Sequence, residues 1–214
     1  MLTAEFFRLD QLDSIRVVRL QTDDGTNRLT RACVLSLTAT FNDLERNAKP
    51  VIITGNERFF SAGADLREIT HLTGPEAFEF ARAGQTLMDT VDRYPAPVYA
   101  AISGYCMGGG LDLALACHGR IASPNAVLAH RGAALGLITG WGGTQRLPRL
   151  VGKAKALEIF VAAEKLDAAH ALRYGLIDIV ADDAVGEAAR QIRILINCRN
   201  TEAQFAPFGS TVIP

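Results

Sequence analysis

Short, uniformly apolar runs set between helix-period stripes constrain this chain more than any other feature. Val51-Ile52-Ile53-Thr54 is β-branched and almost wholly apolar, the pattern of a strand covered on both faces, and Pro50 cuts it off from the segment before it. Upstream, Val34, Leu37, Phe41 and Leu44 recur at spacings of three and four, which predicts a helix over Thr30 to Asn47. Downstream, Pro75 opens a second helix with Ala77, Phe80, Gly84, Leu87 and Val91 on one side, ended by Pro95 and Pro97. Val98-Tyr99-Ala100-Ala101-Ile102 is the next strand, and the glycines from Gly104 to Gly110 lead into a helix carrying Leu111, Leu113, Leu115 and Ala116. Strand, helix, strand, glycine turn and helix make a βαβ rhythm, so the class is α/β.

Around that centre, Ile15 to Leu20 reads as a first strand, and Ile121-Ala122 and Ala126 to Ala129 as short strands before a glycine-rich loop from Gly136 to Gly143. Asp167 is placed to N-cap a helix through Tyr174, with Gly175 ending it in a left-handed conformation. Leu176 to Val180 reads as a late strand and Val185 to Cys198 as a last helix. The tail from Thr201, with Pro207, Gly209 and Pro214, is expected to be irregular. No internal repeat or linker is visible. At 214 residues and 49% hydrophobic, the chain is sized for one substantial core.

A net charge of −1 with scattered basic residues argues against nucleic acid or an acidic membrane as partner. Cys33, Cys106, Cys117 and Cys198 show no C-x-x-C spacing, and the acidic start MLTAEFFRLD lacks the pattern of a secretory leader, so a cytoplasmic setting is expected. Pro95 to Leu111, the longest uncharged stretch, is broken by prolines and glycines and does not read as a membrane span.

Two segments carry the chemistry. Ser61-Ala62-Gly63-Ala64-Asp65 and Gly108-Gly109-Gly110-Leu111-Asp112 each follow an apolar run and each supply unencumbered backbone amides. If the fold brings the Ala64 and Gly109 N–H groups together, they form an oxyanion hole for charge developing on a carbonyl oxygen. Rival readings lack their motifs. Gly104-Tyr105-Cys106-Met107-Gly108 breaks G-x-G-x-x-G, and Gly152-Lys153-Ala154 is no P-loop. Neither Ser61 nor Ser103 sits in a nucleophile elbow, which leaves both as loop hydrogen-bonders. His71, His118, His130 and His170 show no paired metal-ligand spacing, so no metal is expected.

Three blocks, Phe60 to Glu68, Ile102 to Ala114 and Gly136 to Leu147, resemble in order and spacing the enoyl-CoA hydratase/isomerase, or crotonase, family, over roughly Ile15 to Ile196. The resemblance implies a crotonase-like β-β-α superhelix of the ClpP/crotonase type with a shortened helical C-terminal region. It implies an acyl-CoA-binding domain over residues 1–196, an irregular tail over 197–214, and assembly as homotrimers or hexamers. It makes Ala64 and Gly109 the amides that hold the thioester oxygen of an acyl-CoA, and Ala62, Asp65 and Leu66 contacts to the CoA moiety alongside them. Coenzyme A then enters as part of the substrate, and no separate cofactor is called for.

In hydratases of this family two glutamates handle water and proton. The first position is Asp112 here, one methylene shorter, and misplacement of about 1 Å costs roughly a hundredfold in rate. The second is Gly132, which carries no ionisable group; His130 and Arg131 are its ionisable neighbours, and His130 is the candidate acid/base by its near-neutral titration. Some isomerising and dehalogenating relatives carry an aspartate near the position of Gly140. Trp141 stands inside the third block, as a pocket wall or as packing for the following helix. The residues therefore fit a hydratase or isomerase, a decarboxylase or thioester hydrolase on the same oxyanion scaffold, or a catalytically weak acyl-CoA-binding or scaffold paralogue.

Overall fold

The structure, a computed structural model, describes residues 2–204. Three antiparallel strands open it: β1 (Leu2–Ala4), β2 (Phe7–Leu12) and β3 (Ile15–Leu20). From β3 the backbone repeats a strand, strand, helix turn. β3 is followed by β4 (Arg28–Leu29) and α1 (Arg31–Glu45). β5 (Val51–Thr54) is followed by β6 (Phe59–Ser61), β7 (Gly63–Ala64), the short α2 (Leu66–Ile69) and the long α3 (Gly74–Asp92). β8 (Val98–Ile102) leads to β9 (Tyr105–Met107) and α4 (Gly109–Ala116). β10 (Gly119–Ala122) leads to β11 (Val127–Ala129), a 3-10 turn at Ala133–Leu135, α5 (Gly143–Val151) and α6 (Lys153–Ala162). The chain continues through β12 (Leu166–Asp167), α7 (Ala168–Arg173) and β13 (Ile179–Val180) to α8 (Ala184–Gln204).

The first strands of successive turns lie side by side and parallel in a large sheet, ordered β1-β2-β3-β5-β8-β10-β13. The second strands of the later turns form their own sheet, with β6, β9 and β11 parallel and β12 closing it antiparallel, while β4 of the first turn pairs parallel with β7. This is the β-β-α superhelix that the sequence blocks imply. The repeat is one of backbone path and not of residues, which is why no internal repeat is visible in the sequence.

The uniform apolarity of the central strands follows from burial on both sides. Val18, Val51, Ile53, Val98, Ala100 and Ile102 join the main core with α1, α3 and α4. Val17, Ile52, Ala101 and Ile121 face the other way, onto Ala184, Ala188, Ala189 and Ile192 of α8. α1 starts where expected, with the Thr30 hydroxyl accepting the Cys33 N–H at 3.2 Å. Asp167 caps α7 through the His170 N–H at 2.8 Å, and Gly175 takes φ 74° just after that helix.

Six elements depart from the sequence reading. β6 and β9 span three residues each, too few for periodicity to register. α5 and α6 follow the glycine loop, where the sequence implies a helix after Trp141 but gives it no range; α5 begins at Gly143 and contains Pro148, both weak helix signals. The late strand shrinks to Ile179–Val180, because Leu176 and Ile177 turn into the main core. The last helix runs on from Cys198 to Gln204, since nothing before Pro207 interrupts it, so the expected boundary at 196/197 falls inside α8. The rest of the expected irregular tail, 205–214, lies outside the described residues.

Candidate active site

The two glycine segments meet. Gly63 holds φ 88°, a conformation that lets β7 run against the turn before α4: a side chain starting at Gly63 would lie 2.5 Å from the Met107 carbonyl oxygen and 3.0 Å from the Gly109 nitrogen. From the other side, the point where a Gly109 side chain would begin is 3.3 Å from the Ala64 nitrogen. Gly109 is the first residue of α4, so its N–H has no acceptor within the helix and sits at the positive end of the helix dipole. Ser61 braces this wall. Its hydroxyl donates to the Asn27 carbonyl at 2.7 Å and accepts the Gly63 N–H at 3.1 Å, the loop role expected of it. Asn27 in turn donates through Nδ2 to the Phe59 and Phe60 carbonyls at 2.8 and 3.2 Å. Sequence reasoning passed over Asn27, whose φ of 53° is a position that asparagine tolerates better than most residues.

Asp112 lies one turn into α4, 2% exposed, with its two carboxylate oxygens in different surroundings. Oδ2 accepts the Thr139 hydroxyl. Oδ1 faces His130 Nε2 at 3.3 Å, in a geometry that gives neither atom a hydrogen bond. Burial pushes the Asp112 carboxyl up to about 7, against the pull of the Thr139 hydroxyl, the Arg146 charge and the Gly143 amide. His130 is 3% exposed, with the Phe160 ring centred 5.1 Å from its own; burial pushes it down to about 4. Gly143, at the start of α5, backs the pair: a Cβ there would collide with Asp112 Oδ1 and lie 3.0 Å from His130 Nε2. Thr139 was not singled out from the sequence, because a threonine in a glycine-rich loop gives no local signal of its partner.

These groups share one cavity of about 450 Å³, within the range of small-molecule sites. Ala62, Ala64, Leu66, Gly109, Asp112 and His130 all line it, as do Arg131 and Gly132. His130 thus reaches the cavity from just beyond the end of β11. Asp65 does not join the lining. Its carboxylate accepts the Arg67 N–H at 2.9 Å, caps α2 and pairs with the Arg67 guanidinium. Gly132 is no open slot either, since a Cβ there would lie 2.7 Å from the Leu137 carbonyl oxygen. Gly140, by contrast, meets only Ala81 Cβ at 3.7 Å. Trp141 is both wall and packing. It lines the cavity, stacks edge-on to Phe80 at 5.2 Å, and lies so close to α3 and α4 that a Cβ on Gly84 or Gly109 would strike its indole.

The other histidines lie apart from this cluster. His71 contacts the Arg67 carbonyl at 2.6 Å, the Val98 N–H donates to His118 at 3.0 Å, and His170 pairs with Asp167 at 2.8 Å. Among the described residues no helix is long and apolar enough to cross a membrane.

Comparison with known proteins agrees with this architecture. The family model described as "Enoyl-CoA hydratase/isomerase" matches residues 10–205. A Bacillus subtilis protein named "Probable enoyl-CoA hydratase" is 45% identical over 160 residues; the match takes in 73% of this chain and 62% of that relative's length. The crystal structure of an enoyl-CoA hydratase from Bacillus anthracis superposes with TM-score 0.83 at 34% identity, over 90% of this chain and 76% of that one. DspI from Pseudomonas aeruginosa superposes with TM-score 0.82 at 33% identity, over 93% and 76% of the two chains. With the family model spanning most of its length and the superhelix laid out turn by turn, the chain belongs to the enoyl-CoA hydratase/isomerase family.

Proposed function

We propose that this protein is an enzyme acting on acyl-CoA thioesters through an enolate, with the Ala64 and Gly109 amides holding the thioester oxygen and Asp112 moving the proton at the α-carbon. The observation that carries the reading is the convergence of both segments and a buried carboxylate on one mostly apolar cavity. The thioester acidifies its own α-hydrogen. Two amides in a water-poor site then stabilise the enolate oxygen, each typically contributing roughly 2.7–4 kcal/mol to the transition state. A carboxyl group titrating near 7 is matched to giving and taking a proton at neutral pH. The cavity's apolar residues, among them Phe80, Leu72, Ile69 and Trp141, suit a hydrocarbon acyl chain.

The test is exchange of the α-hydrogens of butyryl-CoA with deuterated water, followed by NMR. Wild type should exchange, and Asp112→Asn should lose about 10²–10⁴ of the rate while still binding the thioester. Binding with no exchange in wild type would support an acyl-CoA-binding paralogue instead, and undiminished exchange in Asp112→Asn would remove Asp112 from the mechanism.

A further inference from the structure

Resting on the acyl-CoA reading above, we infer that His130 is a second catalytic residue, forming with Asp112 an acid/base dyad that hydrates a 2-enoyl thioester without a second carboxylate. The geometry supplies the argument. Thr139 occupies Oδ2 of Asp112, which leaves Oδ1 turned toward His130 Nε2 at 3.3 Å. Both atoms are buried, both are without a hydrogen bond, and both residues line the cavity that Ala64 and Gly109 also line. Buried polar atoms are rarely left unpaired without a functional reason. Gly143 allows the approach, because any side chain there would occupy the place where Asp112 and His130 converge.

Gly132, where a second glutamate would be expected, is closed by the Leu137 carbonyl, so that carboxylate is not replaced from its own position. His130 replaces it from two residues earlier, at the exit of β11.

The proton inventory balances. Burial favours a neutral imidazole at His130 and a protonated carboxyl at Asp112. Water gives one proton to Nε2 as its oxygen bonds to the β-carbon. The electron pair of the carbon–carbon double bond moves onto the thioester oxygen, held by the two amides. Asp112 then gives its proton to the α-carbon as the enolate collapses. This leaves an imidazolium beside a carboxylate, and transfer of one proton across the 3.3 Å gap restores the starting state.

The experiment is crotonyl-CoA hydration, followed by loss of enoyl-thioester absorbance, in wild type, His130→Gln and His130→Asn, with butyryl-CoA α-hydrogen exchange run alongside on wild type. Wild type should hydrate; both variants should lose about a hundredfold or more in kcat with KM within a few-fold, since the imidazole moves a proton and does not hold the thioester. Two variants with unaltered circular dichroism guard against a folding artefact. Hydration at the wild-type rate in either variant overturns the dyad. So does a wild type that exchanges α-hydrogens without hydrating, and that outcome leaves the Asp112 reading standing. A wild type that does neither overturns both.

Discussion

The cavity has two walls made of different material. On one side stand backbone amides at Ala64 and Gly109, placed by β7 and by the first turn of α4 and braced by Ser61 and Asn27. On the other stand side chains from three separate segments: Asp112 on α4, His130 beyond β11, and Thr139 in the loop before α5. The first wall has no side-chain chemistry to lose, but it has no room for an added atom. The second can change its chemistry with one substitution while the fold persists. On the proposed reading, such a division would keep the charge-stabilising amides fixed while the proton chemistry varied.

The backbone wall is the place to break that contrast. Gly109→Ala drives a Cβ into Trp141 and displaces the amide, so the butyryl-CoA exchange rate should fall by about 10²–10³, the size expected for losing one oxyanion donor. If the rate stays within threefold, the amide is not in the mechanism. The side-chain wall sharpens it. Gly132→Glu meets the Leu137 carbonyl and should lower stability by about 1–3 kcal/mol in urea unfolding, whereas Gly140→Asp, which meets only Ala81, should stay within about 0.5 kcal/mol. Equal losses in both would mean that the loop over position 132 yields as easily as open surface.

The smallest effect concerns pH. The folded state binds the Asp112 proton more tightly than the unfolded state, since the carboxyl is raised from 3.8 to about 7. Its cost to stability is therefore absent below pH 3.8, grows through the window from 3.8 to 7, and is full above 7. Asp112→Asn should raise the Tm by a few degrees at pH 8 and by less at pH 5. His130, held down to about 4 from 6.5, works in the opposite direction as pH falls, but it is present in both proteins, as is the Arg146 charge. A gain that is larger at pH 5 than at pH 8 would reverse the assignment of Asp112 as the group kept protonated by burial.

How much of this was legible in the sequence depended on whether the signal was local. β5 and β8 showed as apolar runs because burial on both faces leaves no polar position, and α1 showed by its stripe and its Thr30 cap. β6 and β9 did not, because three-residue strands take their identity from the partners they meet far along the chain. The amide wall could be named from its glycines, since glycine is where backbone approaches closely. The placing of His130 within reach of Asp112 could not, because its direction is decided at the exit of β11, where the strand's alternation no longer applies. Asp65 is expected from its place in the first block as a CoA contact, and its side chain caps α2, a role the sequence block does not signal.

Trp141 has a consequence for how the protein can change over generations. Its indole is pressed between Gly84 of α3 and Gly109 of α4, two positions distant in sequence that answer to the same ring. Alanine at either should be selected against while the tryptophan is present and become acceptable once it is replaced by something smaller. The three positions are thus an epistatic unit: the Gly109 amide inherits the mutational tolerance of an aromatic side chain in the loop before α5, and surveys of single substitutions will miss the combinations that work.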